Sequence, residues 1–171
     1  MNKAIFLDRD GTINVDKNYL YKIEDWEFIE GTIEGLQILQ ELGFKLIVIT
    51  NQSGIARGYY TEDDAHKVFC YMIEELKKVG VIIEKVYYCP HIGDECNCRK
   101  PKLELFYQAQ KDYDIDFSRS YAIGDKLRDL AICEKEDVKG YLLNSEDEID
   151  NFKIQKCHNL LEAANLIKRN E

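Results

Sequence analysis

Apolar and polar positions fall in blocks along this chain rather than alternating singly. Short apolar runs, AIFL at 4–7, KLIVIT at 45–50, VYYC at 86–89, SYAIG at 120–124 and GYLL at 140–143, have the length of strands and end at polar or turn residues. Continuous apolarity of this kind predicts strands covered on both faces. Between the runs, apolar residues recur at helical spacing. Ile33, Leu36, Leu39 and Leu42 lead up to Gly43, and Val68, Met72, Leu76 and Val79 run from a Thr61 cap to Gly80. Further helices are predicted after Pro101, through Leu103, Phe106 and Tyr107, and after Asn159, through Leu160, Ala164 and Ile167. Repetition of strand, helix, strand predicts an open, mostly parallel α/β sheet, whose ligands bind beyond the carboxyl ends of its strands.

The 171 residues suit a single domain spanning 1–171, with no internal repeat and no Pro/Gly/Ser linker; the acidic SEDEID at 145–150 reads as a solvated connection. Nothing near Met1 reads as a targeting segment, and no apolar run approaches the roughly 18 residues that span a bilayer. A cytoplasmic protein without membrane partners is expected, monomeric by default. A net charge of -9 offers no broad basic field for nucleic acid, so small anions remain as partners wherever cations are local. The six cysteines are expected reduced; Cys70, Cys133 and Cys157 stand alone and read as small buried residues, and His66 and His158 as surface helix residues.

Three polar clusters end predicted strands. In FLDRDGT, Asp8 and Asp10 enter a turn opened by Gly11. Paired carboxylates suit a hard cation such as Mg²⁺, although a helix cap or Asx turn uses the same residues. An EF-hand is excluded, because counting from Asp8 its Gly and Glu positions hold Ile13 and Tyr19. In VITNQSGIARG, Thr50 and Asn51 offer neutral donors suited to phosphate oxygens, as well as ordinary turn chemistry, and the loop lacks the Gly-Lys-Ser/Thr of a Walker A motif. In IGDKLRD, Asp125 and Asp129 would share one face of a helix starting there, and Asp125 reads either as its cap or as completing a carboxylate cage with Asp8. A fourth strand leads into CPHIGDECNCRKP, where Cys89, His91, Cys96 and Cys98 form a candidate zinc set beside Arg99 and Lys100. Independent caps would have no reason to converge on one sheet edge.

FLDRDGT, VITNQSG, CRKP and GDKLRD resemble, in order, the four motifs of the haloacid-dehalogenase-like (HAD) phosphatases. The combined CPH…CxCRKP resembles the zinc-bearing branch of that family, which contains heptose 1,7-bisphosphate 7-phosphatases and histidinol phosphatases. The likeness spans residues 3 to 143. It implies a three-layer Rossmann-like HAD fold, capless, with a zinc-stapled loop. It implies Asp8 as nucleophile and Asp10 as general acid and base, with Thr50 and Lys100 stabilising the transferring phosphoryl group. Mg²⁺ would be held by the side chains of Asp8 and Asp125 and by backbone carbonyls of Asp10 and Lys126. Arg9, Asp16, Tyr19, Asn51, Gln52, Ser53 and Arg99 would contact a small phosphorylated sugar. Three thiolates and one imidazole fill a tetrahedral zinc, which makes that site structural.

The implied activity is phosphatase action at the 7-phosphate of heptose 1,7-bisphosphate, in nucleotide-activated heptose biosynthesis. Histidinol phosphate is the rival substrate, and the four residues between His91 and Cys96 do not separate the two. From other classes, a zinc-stapled binding module would release no phosphate. A signalling receiver domain would carry its acceptor Asp on a later strand than its acidic pair. Arg128 occupies a motif position where an acidic residue is expected and has no role in this reading.

Overall fold

The computed structural model describes residues 1–171. Six strands form one parallel sheet: β1 (Ala4–Leu7), β2 (Lys45–Asn51), β3 (Ile83–Cys89), β4 (Tyr121–Gly124), β5 (Lys139–Leu143) and β6 (Ile154–Cys157), in the order β3-β2-β1-β4-β5-β6. The helices are α1 (Thr32–Glu41), α2 (Glu62–Lys78), α3 (Glu104–Tyr113), the single-turn α4 (Ile132–Lys135) and α5 (Leu160–Asn170). None is long and apolar enough to cross a membrane. The chain order reverses at β1, between β2 and β4, and such a switch point opens a crevice at the carboxyl edge of a parallel sheet.

Successive strand residues point to opposite faces, and the central strands carry unbroken buried runs such as Ala4–Leu7 and Leu46–Ile49, so both faces need cover. Ile5, Leu7, Leu46, Val48 and Ile123 join α1, α2 and α5 in one core, through residues such as Leu36, Met72 and Ile167. Ala4, Phe6, Ile47, Ile49 and Ala122 join α3 and α4 in the other, through Leu105, Phe106 and Ile132. Helix, sheet and helix make the three layers expected. Each fully buried Leu, Ile or Phe contributes about 1.5–3 kcal/mol, which is ample to fix the register of a sheet that supports polar residues at its edge.

The helix ends follow local chemistry. Thr61 caps α2 in a full capping box with Asp64, and the Asn159 side chain accepts from Glu162 N to start α5. Some expectations are revised. The edge strand β6 buries only Cys157 of its four residues fully, so no apolar run marks it. β3 starts three residues before the expected 86, because Glu84 and Lys85 lie on an exposed edge. In place of a regular helix at Asp125 there is a short 3-10 turn, Leu127–Leu130. Cys70 is exposed on α2, whereas Cys133 and Cys157 are buried. His66 lies exposed on α2, and His158 lies exposed just ahead of α5.

Candidate active site

Parallel pairing sets the site. Leu7 lies opposite Ile123 and Asp8 N donates to Ile123 O at 3.1 Å, so the first residue past β1 meets the residues that end β4. Asp8, Asp125 and Asp129 each bring a carboxylate oxygen within 4.8 Å of the others. Gly11, at φ +83°, makes this possible, since a Cβ there would sit 2.1 Å from Asp125 Oδ2.

Lys100 enters from the loop after β3, almost fully buried. Its Nζ donates to Asp8 Oδ1 at 2.9 Å and to Ile49 O at 2.6 Å, and lies 2.7 Å from Asp129 Oδ1. Burial opposes its charge, but Asp129 and Asp8 outweigh burial and hold the ammonium above the ordinary lysine value. Burial, then Asp129, push the carboxyls of Asp8 and Asp125 upward, with Lys100 resisting at Asp8 and Lys126 at Asp125. Three carboxylates against one ammonium leave the floor short of positive charge, and Asp125 Oδ1 is buried with no hydrogen-bond partner. Crowded oxygens, an excess of negative charge and an orphaned acceptor fit a divalent cation with oxygen ligands.

Asp10 stands beside this floor. Its Oδ1 accepts from Arg9 Nη2 at 2.8 Å and Asn14 Nδ2 at 3.0 Å, and its Oδ2 faces Gln52 Nε2 at 3.4 Å. Arg9, 1% exposed, lies under Asp10 against Trp26 and Phe69, away from the cavity it was expected to line. Asn51 spends both amide atoms on Lys100: Nδ2 donates to Lys100 O at 3.1 Å and Oδ1 accepts from Lys100 N at 3.0 Å. Thr50 is buried behind the floor, its Oγ1 accepting from Gln52 Nε2 at 2.8 Å.

A cavity of about 340 Å³ opens over these groups, lined by Asp8, Asp10, Asp16, Tyr19, Asn51, Gln52, Ser53, Arg99, Asp125 and Lys126 of the expected residues. Asn18, between Asp16 and Tyr19, lines it too, and Arg57, Tyr60, Arg128 and Asp129 line it without having been foreseen as site residues. Asp16 and Tyr19 sit on a flap after β1. There Asp16 Oδ1 accepts from Asn18 N at 2.9 Å, and Asn18 and Tyr19 both adopt positive φ, 59° and 69°. Tyr19 packs edge-on against Tyr59 with ring centroids 4.9 Å apart, under the Arg57 guanidinium.

The loop carrying Lys100 has its own organising cluster. Cys89 Sγ lies 3.4 Å from His91 Nδ1, 3.5 Å from Cys96 Sγ and 2.9 Å from Cys98 Sγ, and His91 Nδ1 lies 3.3 Å from Cys98 Sγ. Burial raises the thiols of Cys89 and Cys98. Burial opposes the opposite shift at Cys96, but the Arg99 and Cys98 backbone N–H groups prevail and hold that thiol down to about 6. Three thiols and an imidazole around one point fit a closed tetrahedral zinc. Lys102 fastens the same loop, donating to Asp94 O at 2.9 Å and to Cys96 O.

A family model described as polynucleotide kinase 3 phosphatase matches residues 3–139. A heptose-1,7-bisphosphate 7-phosphatase from Campylobacter jejuni, named for the α anomer, is 41% identical over 99% of this chain and 98% of its own. One from Helicobacter pylori strain J99, named for the β anomer, is 44% identical over 98% of each chain. The chain belongs to the HAD-like phosphatases. Among HAD-like structures, a D,D-heptose 1,7-bisphosphate phosphatase from B. bronchiseptica, complexed with magnesium and phosphate, superposes with a TM-score of 0.88 at 26% identity, covering 99% of both chains. The likeness extends from the strand edge to α5, and no cap domain interrupts it.

Of the residues missed by the sequence, Asp129 left a signal in its spacing from Asp125. Tyr60 and Arg57 left none, because Tyr-Tyr reads as core and a lone Arg as surface.

Proposed function

We propose that the protein is a Mg²⁺-dependent phosphatase that removes the 7-phosphate of D-glycero-D-manno-heptose 1,7-bisphosphate through a phosphoaspartyl intermediate, a step in nucleotide-activated heptose biosynthesis. The convergence of Asp8, Asp125 and Asp129 beside a buried Lys100, at the switch point of a parallel sheet, carries the reading. Relatives named for this reaction, matching over nearly the full length, supply its substrate. Both anomers are represented among them, so the proposal is made for the heptose bisphosphate as a class.

In this reading an Asp8 carboxylate oxygen attacks phosphorus, and the bond from phosphorus to the sugar oxygen breaks as Asp10 donates its proton to that oxygen. Asp10 then takes a proton from the water that attacks phosphorus, releasing inorganic phosphate and restoring Asp8. Thr50 and Lys100 offset the charge on the transferring group. Asp8, Asp125 and the carbonyls of Asp10 and Lys126 would hold Mg²⁺, which would supply neutralisation of negative charge. Zinc at Cys89, His91, Cys96 and Cys98 would be structural, holding Arg99 and Lys100 toward the phosphate. Arg57, Arg99, Lys126 and Arg128 give the cavity mouth four cations over an acidic floor, which favours a substrate bearing a second anionic group. Arg9 and Asn51 act on Asp10 and Lys100 rather than on the sugar.

The proposal extends to a monomeric, single-domain enzyme of the cytoplasm. No disulfide joins any of the six cysteines, which suits a reducing compartment, and light scattering in solution tests the monomer. The deciding experiment compares kcat/KM for both heptose bisphosphate anomers and for histidinol phosphate in Mg²⁺. A heptose preference of at least a hundredfold is expected. Preference for histidinol phosphate would overturn the substrate, and absence of phosphate release from any sugar phosphate would favour a binding module.

A further inference from the structure

The two oxygens of Asp10 stand in unlike surroundings. Oδ1 takes Arg9 Nη2 at 2.8 Å, Arg9 Nε at 3.3 Å and Asn14 Nδ2 at 3.0 Å, whereas Oδ2 meets only Gln52 Nε2 at 3.4 Å. Gln52, 2% exposed, is itself held at both ends of its amide: Nε2 donates to Thr50 Oγ1 at 2.8 Å, and Oε1 accepts from the Tyr60 hydroxyl at 2.6 Å. With Oε1 taken by the donating phenol, the NH₂ of Gln52 faces Asp10 Oδ2, and a group with only donors leaves a proton carried on Oδ2 free for the cavity side. Tyr60 is seated for this. Its ring lies on the backbone at Gly54, where a Cβ would come 2.1 Å from a ring carbon, and it stacks on Tyr21 of the flap at 5.7 Å and 7°. Burial raises the phenol to about 12, so it stays a donor throughout the neutral range.

We propose that Tyr60 is a positioning residue for proton transfer: by fixing the Gln52 amide it aims Asp10 Oδ2 at the leaving oxygen. This rests on the phosphatase reading and adds to it which oxygen of Asp10 carries the proton and what holds it there. Tyr60 borders the cavity, yet its hydroxyl is committed to Gln52, so its effect on the chemistry is exerted through that amide.

The test is Tyr60→Phe, which removes one hydroxyl from a retained ring. A sugar phosphate needs a proton on its leaving oxygen, while 4-nitrophenolate leaves as a stable anion. kcat/KM reports steps through the first transfer, so Tyr60→Phe should lose about tenfold or more on the sugar phosphate and less than about threefold on 4-nitrophenyl phosphate. Equal losses on the two esters, or none on either, would overturn the proposal. Crystal structures of wild type and Tyr60→Phe decide the geometry independently: a Gln52 amide and an Asp10 carboxylate that keep their orientation would also overturn it. Should the wild type hydrolyse neither ester, the phosphatase reading fails, and the crystal comparison still decides whether Tyr60 fixes the amide.

Discussion

Replacing Lys100 with Met removes an ammonium that two carboxylates and a carbonyl share inside the fold. The methionine stem refills the volume, so the effect is electrostatic. Asp129 and Asp8, at 2.7 and 2.9 Å, lose their counter-charge, and Ile49 O loses its donor. Removing one partner of a buried ion pair costs about 3–5 kcal/mol, and an orphaned carbonyl costs roughly 1–3 kcal/mol more. Protonation of Asp8 recovers part of this, since burial and Asp129 already push its carboxyl upward. A net loss of about 4 kcal/mol in Mg²⁺-free buffer, at about 2–4 °C per kcal/mol for a chain of this size, lowers Tm by roughly 8–16 °C. Phosphate release should fall further, because one donor on developing transition-state charge is worth about 10²–10³ in kcat. Adding Asp129→Asn removes one of the stranded charges, so the double variant should unfold less readily than the sum of the singles implies, by about 1–3 kcal/mol. Strictly additive losses, or a Lys100→Met protein melting within about 2 °C of wild type, would refute the shared-charge account of the floor.

Other perturbations reach other parts of the site. Cys96→Ser should abolish stoichiometric zinc by mass spectrometry, lower Tm and cut kcat by about tenfold, because metal binding is coupled to the folding of the loop that carries Lys100; a variant that keeps its zinc and its rate would contradict this. Burial and Asp129 hold Asp8 and Asp125 above ordinary carboxyl values, so in the metal-free fold they carry protons that the unfolded chain has already shed. Metal-free stability therefore falls as pH rises through the interval between the ordinary and the raised values, and Mg²⁺ should raise Tm more at pH 8 than at pH 5. Equal gains at both pH values would count against it. Arg128→Ala should raise KM about tenfold for a sugar bisphosphate and change it little for 4-nitrophenyl phosphate; equal changes would remove Arg128 from recognition of a second anion.

The sheet was legible because its four central strands, β1, β2, β4 and β5, are buried on both faces, and uninterrupted runs such as AIFL and KLIVIT state that plainly. β6 was not, since one buried cysteine in four residues leaves no pattern. Asp8, Asp10 and Asp125 could be singled out because paired acids at strand ends have few uses, and the zinc set because soft ligands were crowded into ten positions. What stayed hidden depends on who meets whom across the fold. Nothing in Asn51 announces a clamp on the Lys100 peptide 49 positions away, and nothing in Arg9 announces a buried brace for its neighbour Asp10. The position of Arg128 in its motif was noticed, but only the folded 3-10 turn shows it at the cavity mouth with three other cations.

Turnover of heptose 1,7-bisphosphate followed by ³¹P NMR in Mg²⁺ tests the central claim most directly. The account predicts loss of the 7-phosphate ester signal in step with inorganic phosphate, while the anomeric 1-phosphate signal persists. Loss of the anomeric signal first, or no inorganic phosphate at all, would contradict it.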